Sequence, residues 1–307
     1  MITKPVLAAS TACVVDRRPA ASEVVARYGA LTKPDVSFLI GITVSAGFYL
    51  GLPARPMHVP WLRMVHAVLG TVLVAGGAAA FNQWMEYTFD ARMRRTARRP
   101  IAAGLIEPRH AALFAGALSL AGLTYLLMSV GAVPTLLAIG TLLSYLCLYT
   151  PAKRLTPMCT LIGAVPGAMP PVIGWVSARG HIGVEALVLF AIVFLWQFPH
   201  FMSIAWLYRD DYDRAGYRVL PAAPARERFV STYTLLPLFA LLPLGLLPVV
   251  THNAGVLYGF LSAILWVGFA YYGAAFEYHQ SRAAARQLLM ASILYLPALL
   301  VLMISST

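Results

Sequence analysis

A chain of 307 residues that is 60% hydrophobic and only 11% charged carries more apolar surface than one soluble core can bury, and so reads as an integral membrane protein surrounded by lipid. Its net charge of +11 is scattered through short loops and forms no long basic face, which argues against a nucleic-acid partner and for charges placed by membrane topology. Cys13, Cys147 and Cys159 lack metal-ligand spacing and read as packing residues.

Residues 1–35 hold no apolar run followed by a small-residue cleavage site, and are expected to persist as a mobile cytoplasmic lead. Residues 36–307 are expected to form one all-α, polytopic transmembrane domain. Its apolar segments fall at about residues 36–52, 64–85, 110–130, 132–149, 159–177, 184–207, 229–250, 254–276 and 287–304, nine lengths that mostly suit spanning helices. With the N-terminus in the cytoplasm, only Arg55, Arg63 and Arg179 of the 23 Lys and Arg fall on the outer side. That bias sets the orientation as N-terminus in and C-terminus out.

Span two carries Gly76 and Gly77, small residues that let a neighbouring helix approach closely. It then runs into Asn82, Glu86 and Asp90. At i, i+4 and i+8 of a continuing helix these three form one slowly drifting face, rising roughly 6 Å per step. Three oxygen ligands in a row suit Mg²⁺, which takes one or two carboxylates and completes its octahedron with water and phosphate oxygens. Five arginines follow between Arg92 and Arg99 and suit the phosphates, although an ordinary cytoplasmic loop would be basic as well. The acids have no such bland explanation, because an ionisable residue near membrane depth is costly and is a functional candidate by default.

Tyr149 and Pro151 close span four with Lys153 and Arg154 on the same side, where a diphosphate could reach them. Lys153 is a compact point charge that can follow a phosphate, whereas Arg154 serves equally as an interfacial anchor. Span five carries Pro166, Pro170 and Pro171 among Gly163, Gly167 and Gly174, so its hydrogen-bond ladder must break. Broken backbone at membrane depth needs protein or a cavity around it, and residues 166–174 are expected to line a pocket. In span six Pro199 precedes His200, close to Trp196. Haem ligation and hydrogen-bonded packing both remain open for that histidine. Asp210 and Asp211 come directly after span six, and one of them is expected to supply a second metal ligand.

Six stretches taken in order resemble the protoheme IX farnesyltransferases, or haem O synthases, of the UbiA-type intramembrane prenyltransferases. They are Leu31 to Pro34, Asn82 to Pro100, Tyr149 to Arg154, Gly167 to Trp175, Trp196 to Phe201, and Asp211 to Pro221. The resemblance covers nearly the whole chain. It implies nine helices around a central cavity capped by cytoplasmic loops, in a bacterial inner membrane. It also implies Mg²⁺ as cofactor, farnesyl diphosphate and haem B as substrates, and a haem A synthase downstream. Carried over by position, Asn82 and Asp90 match the first acidic motif, and Glu86 stands where that motif commonly has Asp. Tyr208 and Tyr212 stand where other members of the superfamily place aspartates, leaving Asp210 or Asp211 to supply the charge. Catalysis is then expected from Asn82, Glu86, Asp90, Arg95, Arg99 and Lys153. Arg154, Tyr149, Trp196 and His200 are expected to join Arg95, Arg99 and Lys153 in substrate binding. A quinone precursor such as a hydroxybenzoate is the alternative acceptor, and a polytopic transporter the alternative class.

Overall fold

The computed structural model describes residues 20–53, 58–251 and 254–306. Cys13, Arg55 and the first nineteen residues of the expected lead, with their Lys and Arg, lie outside the described residues. The regular elements among the described residues are all helices: α1 (Ala21–Leu31), α2 (Pro34–Leu50), α3 (Trp61–Asp90), α4 (Pro108–Ser129), α5 (Ala132–Leu143), a π-helical turn (Ser144–Tyr149), α6 (Thr150–Leu155), α7 (Cys159–Gly167), α8 (Met169–Arg179), α9 (Val184–Leu207), α10 (Arg209–Ala215), α11 (Ala225–Val250), α12 (Val256–His279) and α13 (Arg282–Ser306). Among the described residues, eight rods are long and apolar enough to cross a membrane: α3, α4, α5 through α6, α7 with α8, α9, α11, α12 and α13. The ninth expected span, α2, has 17 residues, or roughly 26 Å of helix against a hydrocarbon core of about 30 Å. The nine expected spans are thus eight of full length and one short apolar helix.

Two interruptions shape the bundle. Pro151 has no N–H to give, and its ring crowds the carbonyl four residues back. The rod widens into a π turn just before it, with the Thr150 N–H and hydroxyl both donating to the Tyr145 carbonyl. The second interruption is Ala168, between α7 and α8. Pro170 and Pro171 then fall in the first turn of α8, where a missing N–H costs nothing. The Gln197 amide of α9 donates to the Ala164 carbonyl at 3.1 Å beside the break. Pro170 through Ser177 are all buried, and this rod is the most enclosed of the eight. The packing against α2 is backbone on backbone, since a side chain at Gly47 would strike the Pro171 carbonyl and one at Gly174 the Val44 carbonyl. Gly77 likewise admits Ser119 of α4. Small residues in both places trade side chain for close helix contact.

The helix ends gather at two poles. At one, Arg63 donates to the Ser177 and Val130 carbonyls and Arg179 to the Gly51 carbonyl, satisfying the C-terminal ends of α8, α4 and α2. At the other, the end of α3 meets the starts of α2 and α4, the end of α6, and α10. Within the expected lead, α1 packs against the bundle. Leu31 is fully buried, Gln83 donates to its carbonyl at 2.9 Å, and Tyr28 packs edge-on against Phe114. Apolar contact with Ile101, Ile106 and Ala80 holds it there.

Candidate active site

At this second pole the last two turns of α3 carry Asn82, Glu86 and Asp90 inward on one face, as the i, i+4, i+8 spacing requires. They are 1%, 3% and 1% exposed, respectively, and line a polar pocket of about 220 Å³. A bare carboxylate at that depth is prohibitive, and each acid has a cation. Lys153 donates to both Glu86 oxygens at 3.0 and 2.9 Å, and Arg99 donates to Asp90 Oδ2 at 2.7 Å. Asn82 gives its amide N–H to Glu86 at 2.9 Å and to Thr150 at 3.2 Å. Asp90 Oδ1 is buried with no protein partner.

The π turn aims the next wall. Tyr145, Tyr149 and Lys153 line the pocket from one rod, with the Lys153 ammonium 4.6 Å from the Tyr149 ring centre. Gly163 makes room for that ring, because a side chain there would collide with it. Arg95 and Arg99 reach in from the loop between α3 and α4. That loop is fastened by buried Thr96, whose hydroxyl donates to the Asp90 carbonyl at 2.9 Å. Met93 packs on Ala215 and Tyr217, so the loop and the region of α10 cap the pocket together. Phe201, Ile204, Ala205 and Val219 supply an apolar side.

Not every expected residue arrives. Arg154 lies over the Phe89 ring at 5.0 Å, outside the pocket lining, which fits the anchoring role. Asp210 points outward and pairs with Arg282 of α13 at 2.5 Å, its side chain 57% exposed. Asp211 stands at the rim, where it accepts from the Arg95 backbone N–H at 3.4 Å and from Arg214 at 2.9 Å. The Arg95 guanidinium stacks on Tyr208 at 4.8 Å. The structure therefore does not bring Asp210 or Asp211 in as ligands beside Asp90. Trp196 and His200 are also elsewhere: the rings stack at 4.9 Å, and both bond Ser292 of α13, Trp196 through the carbonyl at 2.7 Å and His200 through the hydroxyl at 2.9 Å. Residues 166–174 likewise stay out of the polar pocket. Around the break Pro166 and Ala168 are buried while Gly167 is exposed.

Some pocket residues were missed. Lys33, read as a topology charge, lines the pocket and donates to Asn82 Oδ1 at 3.3 Å. It adopts a left-handed conformation, φ 48°. Desolvation, then the Arg99 and Lys153 charges, push its ammonium down to about 7. The signals were its place directly before Pro34, at the start of the first apolar helix, and within the matching stretch Leu31 to Pro34. Tyr212 and Tyr217 were missed as lining residues too.

Among the described residues no group of three or more His, Cys, Asp or Glu could hold a metal. The fit to Mg²⁺ rests instead on two carboxylates and an amide with one carboxylate oxygen unpartnered, a set that phosphate oxygens and water would complete. Beside the pocket runs a second, apolar groove of about 1010 Å³ between α2, α3, α4 and α13, sharing the turn at Thr32 and Pro34 with the Lys33 wall.

The UbiA prenyltransferase family model matches residues 39–295. A protoheme IX farnesyltransferase of Koribacter versatilis is 42% identical over 294 residues, covering 93% of this chain and 94% of the relative. The fold is also that of a digeranylgeranylglyceryl phosphate synthase structure, with a TM-score of 0.74 at 17% identity over 92% of this chain and 98% of that one. A UbiA homologue from Archaeoglobus fulgidus bound to GPP and Mg²⁺ matches with a TM-score of 0.60 at 14% identity, over 91% and 99% of the two chains. A multi-pass helical bundle with buried acids and cations at one pole, matched by the family model over most of its length, belongs to the UbiA prenyltransferase family.

Proposed function

We propose that this chain is a Mg²⁺-dependent protoheme IX farnesyltransferase, moving the farnesyl group of farnesyl diphosphate onto a vinyl group of haem B to give haem O. The observation that carries the transfer chemistry is the buried row of Asn82, Glu86 and Asp90 facing Lys33, Arg95, Arg99 and Lys153 across one small pocket. The choice of acceptor is supported by the 42% identity to the Koribacter versatilis relative. Metal use is supported by the Archaeoglobus fulgidus homologue with GPP and Mg²⁺.

Four cations around a pocket of this size hold a diphosphate and oppose the negative charge that grows on it as the allylic C–O bond breaks. Mg²⁺, held by Glu86, Asp90 and Asn82, would supply Lewis-acid stabilisation of the same oxygens. The electron pair leaves with the diphosphate. Tyr145 and Tyr149 offer ring faces to the allylic cation, while Phe201, Ile204 and Val219 keep water from it. The haem vinyl group then attacks the farnesyl carbon, and water adds to the resulting cation with loss of a proton, leaving a hydroxyethylfarnesyl substituent. The polar pocket is too small for a macrocycle, and the neighbouring apolar groove offers room for large apolar groups. In this reading the polar pole faces the cytoplasm of a bacterial inner membrane, as the bias of Lys and Arg supports, and a haem A synthase takes the product. Reporter fusions near Arg94 and after α13 are expected on opposite sides.

Detergent-purified protein given Mg²⁺, farnesyl diphosphate and either haem B or 4-hydroxybenzoate is expected to yield haem O alone by mass. Prenylated hydroxybenzoate without haem O would overturn the acceptor. No transfer to either would overturn the reading.

A further inference from the structure

The ion pairs that make the pocket possible also close it to a lone metal ion. Glu86 spends both oxygens on Lys153 and one of them again on Asn82. Asp90 gives Oδ2 to Arg99, so Oδ1 is the one carboxylate oxygen of the pair without a protein partner. Both acids are at least 97% buried, at 3% and 1% exposure. A cation arriving alone would find one open carboxylate oxygen, Asp90 Oδ1, and to gain a second would have to displace Lys153 or Arg99, stranding a positive charge in the same pocket where it also faces Lys33 and Arg95. A diphosphate arriving alone meets the reverse difficulty, since two of its four cations are committed to carboxylates. Arriving together, the two ligands exchange partners with the protein: metal to the carboxylates, phosphate oxygens to the ammonium and guanidinium. No buried charge is then left unpaired.

We propose that Lys153 and Arg99 are internal counter-ions that make metal and diphosphate binding mutually dependent, so that this site takes up a divalent cation only in company with a diphosphate. This rests on the reading of the pocket as a prenyl diphosphate site and adds the rule by which it fills. By linkage the coupling is reciprocal, and couplings of this kind typically amount to about 5–150-fold. Lys153 accordingly has two opposed effects. It strengthens diphosphate binding and weakens binding of the bare metal.

The test uses the full chain in detergent, Mn²⁺ as a spin probe and pyrophosphate as the anion. In the unmutated protein, pyrophosphate binding by equilibrium dialysis is expected to tighten about tenfold or more when Mn²⁺ replaces EDTA, after correction for the Mn²⁺–pyrophosphate complex in solution. Lys153→Met is expected to bind Mn²⁺ alone about tenfold more tightly than the unmutated protein by electron paramagnetic resonance. Adding Glu86→Gln to Lys153→Met is expected to abolish that increase, which assigns it to the released carboxylate. Equal pyrophosphate affinity with Mn²⁺ and with EDTA in the unmutated protein would overturn the proposal without recourse to any variant. Weaker Mn²⁺ binding by folded Lys153→Met would overturn it as well. Transfer is scored separately: coupling with prenylated hydroxybenzoate in place of haem O rejects only the acceptor, and haem O without coupling rejects only the exchange of partners.

Discussion

The acids that end α3 and the acids of α10 are the same residue types, near the same pole, each following a long apolar helix, and the fold treats them differently. Glu86 and Asp90 are buried and answered by Lys153 and Arg99 inside the pocket. Asp210 and Asp213 are 57% and 50% exposed and answered by Arg282 and Arg226 at the surface. Burial decides what such pairs do. In a buried site the desolvated charges interact strongly and are poised for a charged ligand, whereas exposed pairs contribute about 0–1 kcal/mol and serve as fasteners. Asp211 is intermediate at 13% exposure, and it braces the Arg95 backbone rather than facing the pocket centre.

The largest difference is expected from Asp90→Asn, which keeps the side-chain volume and removes a candidate ligand. The rate of farnesyl transfer is expected to fall about 10²–10³-fold, the scale of losing a preorganised electrostatic group. Arg99 is 22% exposed and keeps access to water, so the stability loss stays below the about 3–5 kcal/mol of breaking a fully buried pair. Membrane accumulation near the unmutated level, read by immunoblot, checks that the defect is chemical. A normal rate would erase the distinction between the two acidic regions.

A smaller effect is expected from Lys33→Met, which removes a donor without removing an acid. Charge-assisted hydrogen bonds are worth about 1.5–3 kcal/mol, so KM for farnesyl diphosphate is expected to rise about 10–100-fold. An unchanged KM would reduce Lys33 to a partner of Asn82. The smallest effect belongs to Asp210→Asn. Loss of an exposed pair worth at most about 1 kcal/mol limits the change in transfer rate to within about fivefold. A loss matching that of Asp90→Asn would place α10 in the chemistry.

Much of this contrast was legible in the sequence, and the reasons for success and failure are physical. The row at 82, 86 and 90 was readable because all three residues lie on one helix, whose period fixes their face. Broken backbone at Ala168 followed from the prolines. Lys33 was not readable, because its partner Asn82 is 49 positions away and a single cation before an apolar helix is what topology already demands. The destination of Trp196 and His200 depended on the rotation of α9 against α13, which a uniformly apolar helix does not encode. For residues 166–174 the sequence required protein or a cavity, and the close packing of Pro171 on Gly47 of α2 depends on a helix too distant in sequence to be read. The docking of α1 escaped because its partners, Gln83, Ile101 and Phe114, belong to three later segments.

The most direct measurement is an anomalous X-ray difference map from crystals grown with Mn²⁺ and farnesyl thiodiphosphate. The account predicts metal density bounded by Glu86 and Asp90, with the diphosphate oxygens against Lys33, Arg99 and Lys153 and the Glu86–Lys153 contact opened. Metal density at Asp210 with the Glu86–Lys153 pair intact would contradict it.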